Sequence, residues 1–312
     1  MTPYIIRRLL LAIPTLLLML TMIFILVRLV PGDPALTILG DQASEEALSR
    51  LRAQLGLDRP IVVQYVDFIF RALTGDFGRS LFTGRTVMQE VLVVLPYTLQ
   101  LAAAAVFLAA LLGIPLGTMA AIYRNLWPDY ASRIFSMIGL SFPSFVSGIL
   151  LLLVFAVNLR WFPVITQSAG GFEAQVRNLA LPTLTLGVIM TALIARVTRS
   201  SMLNVLNEDY IRTARAKGVR STRLVLRHAL RNALIPVVTV VGLYFGTLIG
   251  NSVLVEIVFS RPGLGKLIVG ALNSRDYTLL QGLMVVFAAF VILVNTLTDI
   301  AYGLVDPRVK YS

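Results

Sequence analysis

The sequence contains no cysteine and one histidine. The first absence excludes disulfide frameworks, thiolate nucleophiles and cysteine metal sites. The second excludes sites built on paired imidazoles. Charge is also scarce: Asp, Glu, Lys and Arg make up 14% of the 312 residues, against about 25% in a soluble domain. Acids are scarcer still, 16 against 27 basic residues, for a net charge of +11. There is no phosphate-binding loop. The Gly265-Lys266 pair is followed by Leu267, and Ser260 stands where the motif needs its first glycine. Any ATP hydrolysis therefore belongs to another chain. No Ser/His/Asp set or intramembrane carboxylate pair suggests catalysis, and no ladder of Asp, Glu and His crosses the apolar runs as in a proton-driven carrier.

Apolar residues are abundant, at 57%. Runs of about 20 such residues can cross a bilayer as helices. Six are present, at 9–30, 98–123, 134–157, 179–194, 234–255 and 279–305. The first is longer than a signal-peptide core and lacks a small-x-small site after it, so it reads as a retained anchor. With the N-terminus inside, the inside segments hold 15 basic residues and four acids, and the outside loops hold 11 and 10. Nine of the 15 lie in the fourth-to-fifth loop, residues 196–233; the others are Arg7, Arg8, Arg124, Arg133, Arg308 and Lys310. This is the asymmetry that fixes orientation in multi-pass proteins. It accounts for the +11 and removes the argument for nucleic-acid binding.

The chain thus divides into a tail and first span (1–30), an outside loop (31–97) and a five-span core (98–312) carrying the basic loop. Within the outside loop, SEEALSRLRAQLG predicts a helix with Ser44 as N-cap, an apolar stripe of Leu48, Leu51 and Leu55, and a stop at Gly56. DRPIVVQYVDFIFRALTG predicts a second helix, and GRTVMQEVLVVLP a third. Such pieces form either a small lid or a platform for an external partner.

Inside the spans, Gly242, Gly246 and Gly250 put three small positions on one helical face. They serve close packing within the subunit or against a second subunit. Gly113 and Gly117 form a weaker pair. Pro14, Pro115 and Pro143 stand at membrane depth. Ser141, Ser144, Ser147, Asn251, Ser252, Glu256 and Asn295 are candidates for a translocation path. Asp299, near the inner end of the last span, reads as solvated or snorkelling.

The basic loop reads as helix, glycine turn, helix. Met202, Leu203, Leu206, Tyr210, Ile211 and Ala214 are its periodic apolar residues, Gly218 breaks the pattern, and acids Glu208 and Asp209 open the short central helix. EDYIRTARAKG followed by RHALRNALIPVVT resembles the coupling segment of ATP-binding-cassette importer permeases of the dipeptide/oligopeptide branch. IPTL, LVPGDPA, LGLDRPIVVQY, GDFGRS, YRNLWPD, LSFPSF, FSRPGLG, RDYTLLQG and DPRVKY extend the resemblance over the chain. The general Glu-Ala-Ala motif is matched at Ala214, Gly218 and Leu230. Arg212 and Thr213 replace Glu-Ala, His228 replaces Ile and Arg231 replaces Pro, a variant similar to that of the peptide branch.

The resemblance implies an all-α polytopic membrane protein with six transmembrane helices, the type I importer permease fold, and a helical extracytoplasmic loop after the first span. It implies a non-enzymatic transport subunit in the bacterial inner membrane with both termini cytoplasmic. Its partners would be a second homologous permease in a heterodimer, two cytoplasmic ATPase subunits, an extracytoplasmic binding protein and membrane lipid. The chain would bind no cofactor or metal itself, ATP and Mg residing on the ATPases. Glu208, Asp209, Tyr210, Arg212, Thr213, Ala214, Arg215, Ala216, Lys217 and Gly218 would dock the ATPase. The cargo would be dipeptides, oligopeptides or glutathione. The alternatives are nickel complexes or another small solute, or a stand-alone secondary carrier.

Overall fold

The structure, a computed structural model, describes residues 2–29, 34–40, 43–54, 56–166 and 171–305. The Asp306–Lys310 stretch of the C-tail, Leu55 and the centre of LVPGDPA lie outside them. Thirteen α-helices are described, with π-helical turns at two places: α1 (Thr2–Leu29), α2 (Pro34–Leu39), α3 (Glu45–Gln54), α4 (Ile61–Thr74), α5 (Val87–Ile122), α6 (Trp127–Ser141), α7 (Ser144–Leu151, continued as a π-helix over Leu152–Asn158), α8 (Phe172–Leu206), α9 (Asp209–Ala216), α10 (Ser221–Arg223, leading into a π-helix over Leu224–Ala229), α11 (Leu230–Val258), α12 (Leu264–Asn273) and α13 (Tyr277–Val305).

Among the described residues, five helices are long and apolar enough to span a membrane: α1, α5, α8, the α10–α11 run and α13. The expected third span is not straight. It is α6 and α7, bent by 102° at residues 142–143, and counting this pair as one span gives six. Pro143 is the cause. It has no N–H to donate, and it holds Phe142 in extended backbone (φ −97°, ψ 133°). Two other spans exceed their expected bounds. α5 begins eleven residues before the run at 98, so the third outside helix and the second span are one element. Thr86 and Gln89 start it with a reciprocal cap, Gln89 N donating to Thr86 Oγ1 and Thr86 N to Gln89 Oε1. α8 runs on through Arg196 and Arg199 to Leu206, so the first 11 residues of the basic loop are helix.

The chain forms two compact units. One comprises Met1–Tyr4, Tyr97–Arg261 and Leu297–Ser312; the other Ile5–Pro96 and Pro262–Thr296. Residues 262–296 of the expected five-span core therefore group with the first span and the outside loop. In the unit holding 97–261, α8 is the axis. It packs against α6, α7 and α11, and 67% of its span window is buried, against 28% for α11. Glycines make this possible. A Cβ on Gly117 would lie 2.4 Å from the Ala195 carbonyl oxygen, one on Gly113 2.8 Å from Ile194 Cγ2, and one on Gly139 3.0 Å from Ala192 Cβ. Gly187, on α8 itself, would meet Leu108 Cδ2 at 2.8 Å.

In the other unit, the predicted short helices appear. Ser44 Oγ accepts from Ala47 N at 3.2 Å at the start of α3. Gly75, in the left-handed region (φ 79°), closes α4. α4 packs on α1 through the Phe24–Tyr65 and Phe24–Phe68 ring contacts and the Thr21–Tyr65 hydrogen bond. GDFGRS and RDYTLLQG, far apart in sequence, join here. Asp276, 1% exposed, caps α13 by accepting from Leu279 N at 3.0 Å. Its other oxygen accepts from Ser80 Oγ at 2.6 Å and Leu81 N at 3.0 Å.

Candidate functional site: the coupling segment and its supports

The sequence singles out 208–218, and the structure shows how that stretch is held. α9 has two unlike faces. Ile211 is fully buried among Ala121, Met202, Leu224, Ala229 and Ala233, with Ala214 partly buried beside it. Asp209, Tyr210, Arg212, Thr213, Arg215, Ala216 and Lys217 are exposed. Asn232 Nδ2 donates to Tyr210 Oη at 2.7 Å and ties α9 to α11. Arg212 stands 3.5 Å from Asp209 one turn earlier, both well exposed, a pair of little energetic weight.

The end of α9 is a Schellman turn. Gly218 N donates to Arg215 O at 3.0 Å and Val219 N to Ala214 O at 3.2 Å. Gly218 has φ 77°, where an L side chain costs about 1–2 kcal/mol. Val219 returns to the apolar cluster under Ile211. Glu208 precedes the helix in extended backbone and makes no side-chain cap; its charge favours the helix N-terminus without a hydrogen bond.

Sequence reasoning counted Asp129, Arg133 and Arg199 as charges of the inside segments. The structure makes them one ion cluster. Asp129, fully buried in the first turn of α6, accepts from Arg199 Nη2 at 2.9 Å and Nε at 2.5 Å. It also accepts from Arg133 Nη2 at 2.7 Å and from Asn125 N at 3.0 Å. This fork-to-carboxylate clasp joins α6 to α8 seven residues before α8 ends. The signal in sequence was a lone acid among bases in a short loop.

The expected path residues do not share one kind of environment. Ser141, Asn251 and Asn295 are exposed and Ser147 is half-buried. Ser144 is buried at the start of α7. Ser252 is fully buried and donates to Ile249 O of its own helix at 2.7 Å. Glu256 is turned inward: it is fully buried and accepts from Thr98 Oγ1 at 2.6 Å. A carboxylate in an apolar interior is held where hydroxyl or charged groups stabilise it: Thr98 of α5 supplies the hydroxyl, and the Arg261 guanidinium acts through its charge, the turn itself being tied by a backbone bond. Arg261 N donates to Glu256 O at 2.8 Å and Arg261 Nη2 to Gln100 Oε1 at 2.8 Å. Burial lowers the pKa of the Arg261 guanidinium, and the Glu256 carboxylate and Tyr97 oppose that shift. Ser252 and Glu256 are thus both buried against other parts of the chain. Asp299 is likewise buried, not solvated. Of the glycine stripe, Gly246 is buried, Gly242 would meet Thr298 Cγ2 of the same chain, and Gly250 faces open space. Among the described residues no group of three or more His, Cys, Asp or Glu could hold a metal ion.

The geometry defines a multi-pass helical protein that carries a short two-faced helix on a basic loop. The family described as "Binding-protein-dependent transport system inner membrane component" matches residues 113–311, and "Binding-prot-dependent transport system membrane comp, N-term" matches residues 1–102. The chain is 44% identical over 311 residues to the glutathione transport system permease protein GsiC of Salmonella typhimurium strain LT2, and 43% to GsiC of Escherichia coli K12. Each alignment covers all of both chains. Among solved structures, a chain of the inward-facing MetNI methionine ABC transporter (SeMet soak crystal form) matches with a TM-score of 0.56 at 20% identity. That match covers 70% of this chain and 97% of the other, and it bears on the fold. The chain belongs to the binding-protein-dependent transport system inner membrane components, as an ABC importer permease of the peptide branch with the type I fold. It is a multi-pass transport subunit of the bacterial inner membrane.

Proposed function

We propose that this chain is one of two homologous permease subunits of an importer that carries dipeptides, oligopeptides or glutathione into the cytoplasm. The observation that carries the coupling step is the two-faced geometry of α9. Ile211 and the Schellman turn anchor it to the permease, and the opposite face, from Asp209 through Lys217, is exposed. A rigid helix fixed at its root and open on its outer side transmits a push from a docked subunit. Small Ala216 lets a partner backbone approach, and charges of both signs set the register. On this reading ATP and Mg sit on two separate ATPases, closing them drives the permease pair between inward- and outward-facing states, and a binding protein delivers cargo from outside. Both termini then lie in the cytoplasm, as the charge count favours. The high identity to GsiC supports glutathione as the first cargo to test.

The test is uptake into proteoliposomes of labelled glutathione and, separately, a labelled dipeptide. The expected result is ATP-dependent uptake with the full subunit set and none when the ATPases are omitted. Uptake by this chain without ATPases overturns the coupling. ATP-driven uptake of neither cargo overturns the substrate class.

A further inference from the structure

Three stretches that carry the branch resemblance but take no part in coupling converge on one cavity. LGLDRPIVVQY contributes Gly56, Arg59 and Gln64; GDFGRS contributes Asp76, Phe77, Gly78 and Arg79; RDYTLLQG contributes Thr278, Gln281 and Gly282. Arg28, in the last turn of α1, and Asp67 and Arg71 of α4 complete the wall. The volume is about 520 Å³, within the range of small-ligand sites. Its floor is tightly built: a Cβ on Gly282 would lie 2.6 Å from Phe77 O, and one on Gly78 2.7 Å from Thr278 Cγ2. Asp276 fixes the same junction from behind.

The wall is cationic, with four arginines against two aspartates. Asp67 is taken by Arg71 at 3.1 Å. Asp76 accepts from Gly78 N at 3.1 Å. Arg28 turns onto the Gln64 carboxamide oxygen and the Phe24 ring. Among the described residues, Arg59 and Arg79 have no carboxylate partner; Arg79 reaches the Gly84 carbonyl at 3.4 Å. Two guanidinium forks lacking an anion, with the Thr278 hydroxyl and Gln281 carboxamide nearby, match a carboxylate or phosphate.

We propose that this cavity, at the end of α1 remote from Arg7 and Arg8, is an anion-binding site that takes a phosphate or carboxylate group through Arg59 and Arg79. Two sources have that chemistry: the headgroup of an acidic phospholipid, and the carboxylates of a small peptide. The site does not rest on the substrate reading above, because either source can fill it whatever cargo is carried.

The test uses the complex co-purified with its partner subunits, in phosphatidylcholine nanodiscs. Amide hydrogen exchange is followed in segments 75–84 and 276–284, with no addition, with phosphatidylglycerol in the disc, or with free glutathione in solution. An anion at ten times its Kd slows exchange there about tenfold. Slowing by phosphatidylglycerol assigns a headgroup, and slowing by glutathione assigns a solute carboxylate. In the Arg59→Gln/Arg79→Gln variant the slowing disappears; in Arg59→Lys/Arg79→Lys part of it remains. Unchanged exchange in α12, which lies in the same unit and outside the cavity, shows that both variants are folded. No slowing by either anion, or slowing that survives in the glutamine variant, overturns the proposal.

Discussion

α8 and α11 are both long apolar helices of the same unit, yet they are used differently. α8 is enclosed on most sides, with glycines of α5 and α6 against it leaving no room for a methyl group. α11 keeps a face open, where Leu243 and Leu254 are exposed beside Gly250. The more regular glycine pattern in the sequence lies on α11, yet its members differ: Gly242 would meet Thr298 Cγ2 at 2.5 Å while Gly250 meets nothing, and the tightest approach to a backbone oxygen is at Gly117 on α5, 2.4 Å from Ala195 O. Spacing shows that a helix can be approached closely. It does not show whether the approaching backbone belongs to the same chain. An enclosed helix holds the subunit together; an open one with small residues is a surface for lipid or for another helix.

The largest expected effect is on the enclosed helix. Asp129→Ala leaves the Arg199 and Arg133 guanidiniums at the α6–α8 junction without their carboxylate; both keep some access to water, so the cost falls below that of a fully buried pair, at about 2–3 kcal/mol. Thermal unfolding in detergent should show a large drop in Tm; an unchanged Tm removes the clasp from the account. Gly117→Ala comes next. Its methyl would overlap the Ala195 carbonyl oxygen, and overpacking costs about 1–3 kcal/mol, read in the same assay. Gly218→Trp is smaller in stability, about 1–2 kcal/mol from the left-handed backbone alone, but larger in function. ATP hydrolysis by the assembled complex should continue while uptake falls and membrane insertion stays normal, and normal uptake contradicts the role given to the turn. The smallest effect is at Gly250→Ala, on the open face, expected within about 0.5 kcal/mol of the parent. A Tm drop like that of Gly117→Ala would erase the distinction between the two helices.

Much of this was legible in the sequence, for identifiable reasons. The number of apolar runs, the Ser44 cap and the Gly218 break are local signals, and local signals survive into structure. The 102° bend was half legible: Pro143 marks a break, but its angle is set by what α7 packs against. The pairing of Asp129 with Arg199 spans 70 residues, and no local pattern announces it. Glu256 looked like a path residue and Asp299 like a group for water because charge in a span is costly unless partnered, and the partner Thr98 lies 158 residues from Glu256. The meeting of GDFGRS with RDYTLLQG is equally non-local, so the arginine cavity could not be read from either stretch.

The central claim is that the exposed face of α9 is where an ATPase subunit docks. The chain has no cysteine, so single thiols can be placed without background. With Ala216→Cys or Arg212→Cys on the open face, a short thiol-to-amine crosslinker should join this chain to an ATPase subunit in the intact complex. Ser221→Cys, exposed beyond the Gly218 turn, should give markedly less of that product. No ATPase adduct from either α9 position, in a complex that still hydrolyses ATP and transports, would contradict the account.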